Sequence, residues 1–236
     1  MKNLSRIAAL PLLAAMLLLS AFAAGAQSRK SVSILGDSYS TFEGYVEPST
    51  NEMWYYAKAN PGNTDVDHVS KTWWHQFIKD NGYKLEQNNS YSGSTVCYTG
   101  YQGNDYSARS FISRMDDLGC PDILLIFGAT NDSWAGSPLG EFNWEGNPAD
   151  GDFRSFRPAL QYMLEHVTNR YPNTEIVYLI NSELSPEVTS SIEEACGRYN
   201  VPFLQLHDID KTAGHPNTKG MKAIADQLTE FFNSRQ

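Results

Sequence analysis

The chain alternates between short apolar segments and longer segments with helical periodicity. The apolar segments lie at residues 32–35, 123–127, 175–180 and 201–206, with a weaker one at 84–88. Such continuous apolar runs are typical of parallel strands that are buried on both faces. Strands that alternate with helices predict βαβ units with right-handed crossovers. The pattern therefore predicts an α/β protein: a flavodoxin-like three-layer α/β/α sandwich with a five-stranded parallel sheet.

The segments between the strands carry apolar residues at helical spacing. They predict five helices, at residues 70–80, 106–118, 156–171, 186–199 and 217–232. Two long insertions, at 41–69 and 133–152, begin where predicted strands end. Ligands bind beyond the carboxyl ends of the strands in such sheets, so we expect both insertions to border that crevice.

The amino terminus has the pattern of a secretory signal peptide. Lys2 and Arg6 precede an apolar run at 7–22, and Ala24-Gly25-Ala26 forms a small-residue cleavage site. We interpret residues 1–26 as the signal peptide and 27–236 as one domain, which predicts a secreted or periplasmic protein. A retained membrane anchor is the alternative, but the run is short for a span, and no other segment is long enough.

The composition bears on possible partners. The formal net charge is −9, with 18 basic and 27 acidic residues. Contacts to phosphate need clustered Lys and Arg, so nucleic acid and anionic lipid are poor candidates. The three cysteines, Cys97, Cys120 and Cys196, match no metal motif, and we expect unpaired and mostly buried thiols. We expect no metal and no cofactor, and the sequence does not determine the oligomeric state.

Polar residues suited to catalysis follow the predicted strands. Gly36-Asp37-Ser38 comes after the first strand, and Gly93 lies in the loop after the second. Asn131 follows the third strand, and His215 follows the fifth after a short loop. The carboxyl ends of parallel strands meet at one sheet edge, so we expect these residues to converge there.

Each of these residue types suits one part of ester hydrolysis. A serine hydroxyl such as that of Ser38 needs a neighbouring base to become a good nucleophile. His215 could accept that proton near neutral pH and return it to the leaving group. The Ser38 and Gly93 main-chain N–H groups and the Asn131 amide could hold the oxyanion. Taken alone, each of these short motifs could equally be an ordinary turn or helix cap.

Taken together, the motifs resemble those of the SGNH (GDSL-type) hydrolase family. Gly36-Asp37-Ser38, Gly93, Gly128-x-x-Asn131-Asp132 and His215-Pro216 match four family blocks in the correct order. The resemblance covers nearly all of the chain after the signal peptide. It implies a three-layer α/β/α esterase or acylhydrolase that needs no metal, with Ser38 as nucleophile.

The chain departs from the family pattern at two positions. Tyr39 replaces the usual leucine after the serine, which we interpret as a packing change. Thr212 stands where the family places its acid, three residues before the histidine. In a triad the acid fixes the tautomer of the histidine and stabilises its charged form. The resemblance also allows a dyad with a main-chain carbonyl in that role, for which the Thr212 carbonyl is the first candidate and Asp210 the second.

Several interpretations stay open at this point. Within ester hydrolysis the substrate could be an O-acetylated glycan, a lipid or a thioester, and we favour the glycan. Because of Thr212, the scaffold could instead bind carbohydrate without cleaving it. A flavodoxin-like cofactor binder is a third alternative, although the first loop lacks a glycine-rich phosphate cradle. The aromatic residues of the two insertions, Trp54 and Trp134 among them, suit packing or substrate contact.

Overall fold

The computed structural model describes residues 28–58 and 62–235. Five parallel strands form one sheet in the order β2-β1-β3-β4-β5. They are β1 (Ser31–Gly36), β2 (Lys84–Ser90), β3 (Ile123–Phe127), β4 (Glu175–Ile180) and β5 (Phe203–Gln205). The predicted sheet is confirmed, and its fifth strand is shorter than its apolar run. A small antiparallel hairpin, β6 (Lys211–Thr212) and β7 (His215–Pro216), was not predicted.

Helices cover both faces of the sheet. Their bounds are α1 (Trp73–Asp80), α2 (Phe111–Arg114), α3 (Thr130–Ala135), α4 (Phe156–Arg170), α5 (Pro186–Tyr199) and α6 (Thr218–Asn233). Three of the predicted helices, now α4, α5 and α6, match to within about two residues, and α1 begins three residues later than predicted. The helix predicted at 106–118 is instead a 3-10 turn at Ser107–Arg109 followed by α2. Helix α3 was not predicted.

The strand residues alternate between two buried clusters. Leu124 and Ile126 pack with α2, α4 and α5 on one face, whereas Leu125 and Phe127 pack with α1 and α6 on the other. Both Trp73 and Trp74 of α1 are buried. Because both faces are covered, all five residues of β3 are buried. This is the three-layer arrangement that the sequence predicts.

Other sequence predictions have mixed outcomes. All three cysteines are unpaired, and Cys97 and Cys196 are buried, but Cys120 is exposed. The signal peptide predicted at 1–26 lies outside the described residues. Within 28–58 and 62–235, no helix combines the length and apolar character needed to cross a bilayer.

Candidate active site

The carboxyl end of β1 presents Ser38 on a short 3-10 turn, Ser38–Ser40. The Asp37 carboxylate caps this turn by accepting a hydrogen bond from the Tyr39 amide at 3.0 Å. Gly36 is required before it, because a Cβ there would lie 2.5 Å from the Ser90 hydroxyl and 2.7 Å from the Ser40 side chain. Ser38 is consequently held in a fixed turn at the sheet edge, with 4% of its surface exposed.

His215 is presented by the β6–β7 hairpin. The two residues of its turn, Ala213 and Gly214, have φ angles of +49° and +76°, as tight hairpin turns require. The Nε2 atom of His215 lies 2.9 Å from the Ser38 hydroxyl oxygen. Its other ring nitrogen, Nδ1, lies 3.1 Å from the Ala213 carbonyl oxygen. A carbonyl can only accept, so Nδ1 carries the proton and Nε2 is free to accept one from Ser38.

The group that orients the histidine therefore differs from both sequence candidates. Thr212 is the cross-strand partner of His215 in the hairpin, and the carbonyl that reaches the ring belongs to Ala213 in the turn. The Asp210 carboxylate instead accepts hydrogen bonds from Asn217 at 2.6 Å and from Lys219 at 2.8 Å. These bonds, led by the one from Lys219, hold the pKa of Asp210 below its usual value. Asp210 thus stabilises the start of α6 rather than the imidazole.

The same hairpin is tied to the Ser38–Ser40 turn by Tyr39. The Tyr39 hydroxyl donates a hydrogen bond of 2.6 Å to the Gly214 carbonyl, and its ring lies edge-on to His215 with centroids 5.3 Å apart. The tyrosine that replaces the family's leucine is buried, which agrees with a packing change, and it also joins the Ser38–Ser40 turn to the hairpin. This bond helps to keep Ser38 and His215 in register.

Asn131 lies in the first turn of α3, at the carboxyl end of β3. Ala129 before it adopts a left-handed conformation with φ of +72°, and Gly128 is packed directly against the Phe111 ring. The Asn131 amide nitrogen donates to the Ser94 carbonyl at 2.9 Å, and its oxygen accepts from the Tyr101 hydroxyl at 2.9 Å. These two bonds fix the orientation of the amide, and the second amide hydrogen is available to an oxyanion.

The loop that carries Gly93 is held by a buried carboxylate. Gly93 has a φ of +77°, which glycine adopts without strain. Asp132 accepts hydrogen bonds from the Val96 and Cys97 amides at 2.8 and 3.2 Å. Burial raises the pKa of Asp132 to about 6, and these amide bonds partly oppose the shift. Asp132 therefore links the loop after β2 to the helix that carries Asn131.

Asp37 is a second buried carboxylate, directly before Ser38. Burial raises its pKa to about 7, while the Tyr39 amide bond and the positive charge of Arg114 act in the opposite direction. Its fixed hydrogen bond to the Tyr39 amide gives Asp37 a structural role in the turn. Two further carboxylates, those of Asp65 and Asp67, bind the Thr218 amide and the Lys71 ammonium respectively.

The sequence did not predict two sets of contacts at the site. Arg114 is 7% exposed and donates to carbonyl oxygens of Gly36 and Asn89, at the ends of β1 and β2. A signal existed, since Arg114 lies close in sequence to the apolar residues Phe111, Ile112 and Met115. The second set involves the pair of indoles around His215: Trp54 stacks on its ring and Trp134 lies edge-on to it. The sequence showed only that both lie in insertions near the crevice.

A known protein family matches nearly the whole chain. The sequence profile described as GDSL-like Lipase/Acylhydrolase matches residues 30–232. The chain belongs to the GDSL-like lipase/acylhydrolase family. It is accordingly a carboxylic ester hydrolase of the GDSL type. None of the curated proteins compared with this hydrolase matches it.

Solved structures agree with that assignment. A protein described as a GDSL-like lipase from Bacteroides ovatus is 56% identical, with a TM-score of 0.85, over 88% of this chain and 100% of its own. A second from Bacteroides uniformis is 51% identical, with a TM-score of 0.82, over 88% and 97%. An acetyl xylan esterase from the rumen bacterium Butyrivibrio proteoclasticus is 18% identical, with a TM-score of 0.57, over 89% and 64%. At that identity the third likeness concerns the fold.

The environment of His215 predicts the acid side of the pH–rate profile. Burial is the main reason that the pKa of His215 lies at about 4; the charge of Lys211 acts in the same direction, and the bond to Ala213 opposes both. A base must be neutral to accept a proton, so with His215 as the base, its own protonation lowers activity only as the pH falls through that low pKa. At pH 5 about nine-tenths of the enzyme would still hold a neutral imidazole, against about 3% for an unshifted histidine.

We therefore expect kcat/KM for a neutral ester to stay nearly constant from pH 7 down to about 5. The measurement is an initial-rate profile between pH 4 and 8, with circular dichroism at each pH to exclude unfolding. An acid limb centred near pH 6.5 in the folded enzyme would contradict this account.

Proposed function

We propose that the chain is an exported serine ester hydrolase that removes a small acyl group with a Ser38–His215 dyad. The observation that carries the proposal is the chain of contacts from the Ser38 hydroxyl through the imidazole to the Ala213 carbonyl, at 2.9 and 3.1 Å. This arrangement places an unprotonated nitrogen against the nucleophile's hydroxyl. Export rests on the amino-terminal sequence pattern.

The first half of the reaction forms an acyl-enzyme. Ser38 Oγ attacks the ester carbonyl carbon while its proton passes to His215 Nε2, giving an imidazolium and a tetrahedral oxyanion. The Ser38 and Gly93 main-chain N–H groups and the Asn131 amide donate to that oxyanion. Collapse of the intermediate breaks the bond to the leaving alkoxide, which takes the proton from His215 and departs as an alcohol.

The second half reverses these roles with water. His215 Nε2 accepts a proton from the incoming water, whose oxygen attacks the acyl carbon and forms a second oxyanion in the same donor set. The proton then returns to Ser38 Oγ as the carboxylic acid product leaves. The Ala213 carbonyl holds the Nδ1 proton throughout, so it takes over the orienting part of a triad acid's role without supplying a full negative charge.

An O-acetylated glycan is the substrate class that we favour. Trp134 lies beside His215 with ring centroids 6.1 Å apart and is 41% exposed, which suits an apolar platform for a sugar ring. The net charge of −9 disfavours binding to anionic lipid. The fold shared with an acetyl xylan esterase is compatible with this substrate class.

The test is an ester panel run on the protein from residue 27 onward. It would contain p-nitrophenyl acetate, p-nitrophenyl esters of longer acyl chains, and acetylated xylose and xylan. We expect acetyl esters to be the best substrates, and Ser38→Ala to lower every rate by at least about 10³-fold. Equal rates for wild type and Ser38→Ala, with retained binding of acetylated xylan, would instead support a carbohydrate-binding scaffold.

A further inference from the structure

Trp54 stacks face to face on the catalytic-site histidine. The indole and imidazole planes are 7° apart, with ring centroids separated by 3.6 Å. Trp54 belongs to the insertion at 41–69, which is remote in sequence from the segment that carries His215. A flat ring at this distance prevents the imidazole from rotating out of the plane that aims Nε2 at Ser38.

The backbone around Trp54 is bound to both halves of the site. The Trp54 amide donates to the Thr41 hydroxyl at 2.9 Å, and that hydroxyl donates to the Ser38 carbonyl at 2.9 Å. The next residue, Tyr55, is fully buried, and its hydroxyl donates to the Pro216 carbonyl at 2.7 Å. The stack is therefore anchored on the nucleophile turn and on the hairpin, and is part of the scaffold of the site.

The geometry of the stack favours a charged imidazole. Two neutral aromatic rings prefer offset or edge-on arrangements over a close parallel sandwich, because like-signed faces repel. A cation over the electron-rich face of an indole is attracted instead. A parallel stack at 3.6 Å thus gains interaction energy when His215 becomes an imidazolium, which is the state that forms during proton transfer from Ser38.

The charge that acts on the imidazole ring does not stabilise the imidazolium. Lys211 is the charged side chain that acts on His215 electrostatically, and its positive sign disfavours the imidazolium. The Lys211 ammonium is paired with Glu183 at 2.8 Å and lies 5.6 Å from the centre of the Tyr39 ring. The imidazole also contacts the Ser38 hydroxyl, the neutral rings of Tyr39 and Trp134 and the Ala213 carbonyl, and these four groups are uncharged.

We propose that Trp54 is a positioning residue that takes over part of the role of the missing triad acid, holding the imidazole in line and stabilising the imidazolium through its π face. The inference rests on the proposed Ser–His esterase. An enzyme without a carboxylate on its histidine needs another source of orientation and of charge stabilisation. The aromatic face supplies both, and the insertion that carries it thereby becomes part of the reaction machinery.

The experiment compares Trp54→Leu with Trp54→Phe, using p-nitrophenyl acetate, which is too small to need a sugar platform. We expect Trp54→Leu to lower kcat and kcat/KM by about 10- to 30-fold with KM within about two-fold of wild type. Trp54→Phe keeps an aromatic face and should stay within about three-fold. Tyr56→Leu is the matched control, because Tyr56 is an exposed aromatic of the same segment that donates to the Met53 carbonyl; we expect no change.

The inactivation rate of Ser38 by a small fluorophosphonate gives a second readout, independent of ester turnover. We expect its maximal rate to fall in Trp54→Leu and to recover in Trp54→Phe. Melting temperatures verify folding, and Trp54→Met replaces Trp54→Leu if the latter does not fold.

The outcomes separate two kinds of failure. A wild-type rate that Ser38→Ala leaves intact would refute the proposed function itself. A Ser38-dependent rate that Trp54→Leu leaves unchanged would refute only the role of Trp54. A rise in KM for acetylated xylan with kcat preserved would show a substrate platform instead and would overturn the inference, as would a loss in Trp54→Phe equal to that in Trp54→Leu.

Discussion

Replacing His215 with alanine is expected to lower kcat/KM for acetyl esters by about 10³-fold or more, whereas replacing Asp210 with alanine should change it by less than about three-fold. The reason is geometric. His215 Nε2 lies 2.9 Å from the Ser38 hydroxyl oxygen, while the Asp210 carboxylate binds Asn217 and Lys219 at the start of α6. Initial rates with p-nitrophenyl acetate, corrected for the uncatalysed rate, measure both effects.

The variant Asp210→Asn is a control for effects on folding. Asp210→Asn retains an oxygen acceptor for the Asn217 amide, so a loss seen in Asp210→Ala and restored in Asp210→Asn would reflect the start of α6 rather than proton transfer. A loss in both Asp210 variants as large as that in His215→Ala would mean that Asp210 acts as the triad acid. In that case the Ala213 carbonyl would not be the orienting group.

Replacing Arg114 with methionine is expected to lower the free energy of unfolding by roughly 3–5 kcal/mol. The buried guanidinium binds three main-chain carbonyls, those of Gly36, Asn89 and Arg109, and also the Ser94 hydroxyl. Methionine fills part of the volume but supplies no hydrogen-bond donor to those carbonyls, and it removes a positive charge near Asp37. Urea denaturation followed by circular dichroism measures the loss.

Arg170→Met is the matched control. Arg170 is exposed and faces Asp116 at 3.6 Å, so the same substitution there should cost less than about 1 kcal/mol. Arg114 joins the ends of β1 and β2 to the loop that carries Gly93. We therefore expect Arg114→Met to lower activity even at urea concentrations below its unfolding midpoint. A loss of stability in Arg114→Met no larger than in Arg170→Met would contradict this assignment.

Much of the fold was predictable because its signals are local. The apolar run at 123–127 and the periodicities of α4 and α6 depend on residues a few positions apart, and the structure confirms them. The helix predicted at 106–118 was too long. Its first half forms a 3-10 turn that ends at Ser110, where the extended backbone, with ψ of 159°, interrupts the helix and makes Ser110 the N-cap of α2.

In the candidate site, too, some features were predictable from the sequence and others were not. Four short motifs at predicted strand ends were enough to place Ser38, Gly93, Asn131 and His215 at one edge, since parallel strands bring their carboxyl ends together. The acceptor for the imidazole was predicted wrongly, at Thr212 or Asp210. Which carbonyl reaches Nδ1 depends on the left-handed turn at Ala213 and Gly214, and the sequence does not specify such φ values where alanine occupies the position.

The amino-acid sequence thus predicts the layered fold, the family and the identities of the groups that could react. These features follow from strand and helix periodicity and from motif order, which can be read along the chain. The sequence does not predict which residues contact those groups. Trp54 on the imidazole and Arg114 under the strand ends are brought into place by packing over separations of 161 and 78 residues. Contacts at such separations arise from the assembled sheet and its insertions, and they decide how a histidine without an acid is held.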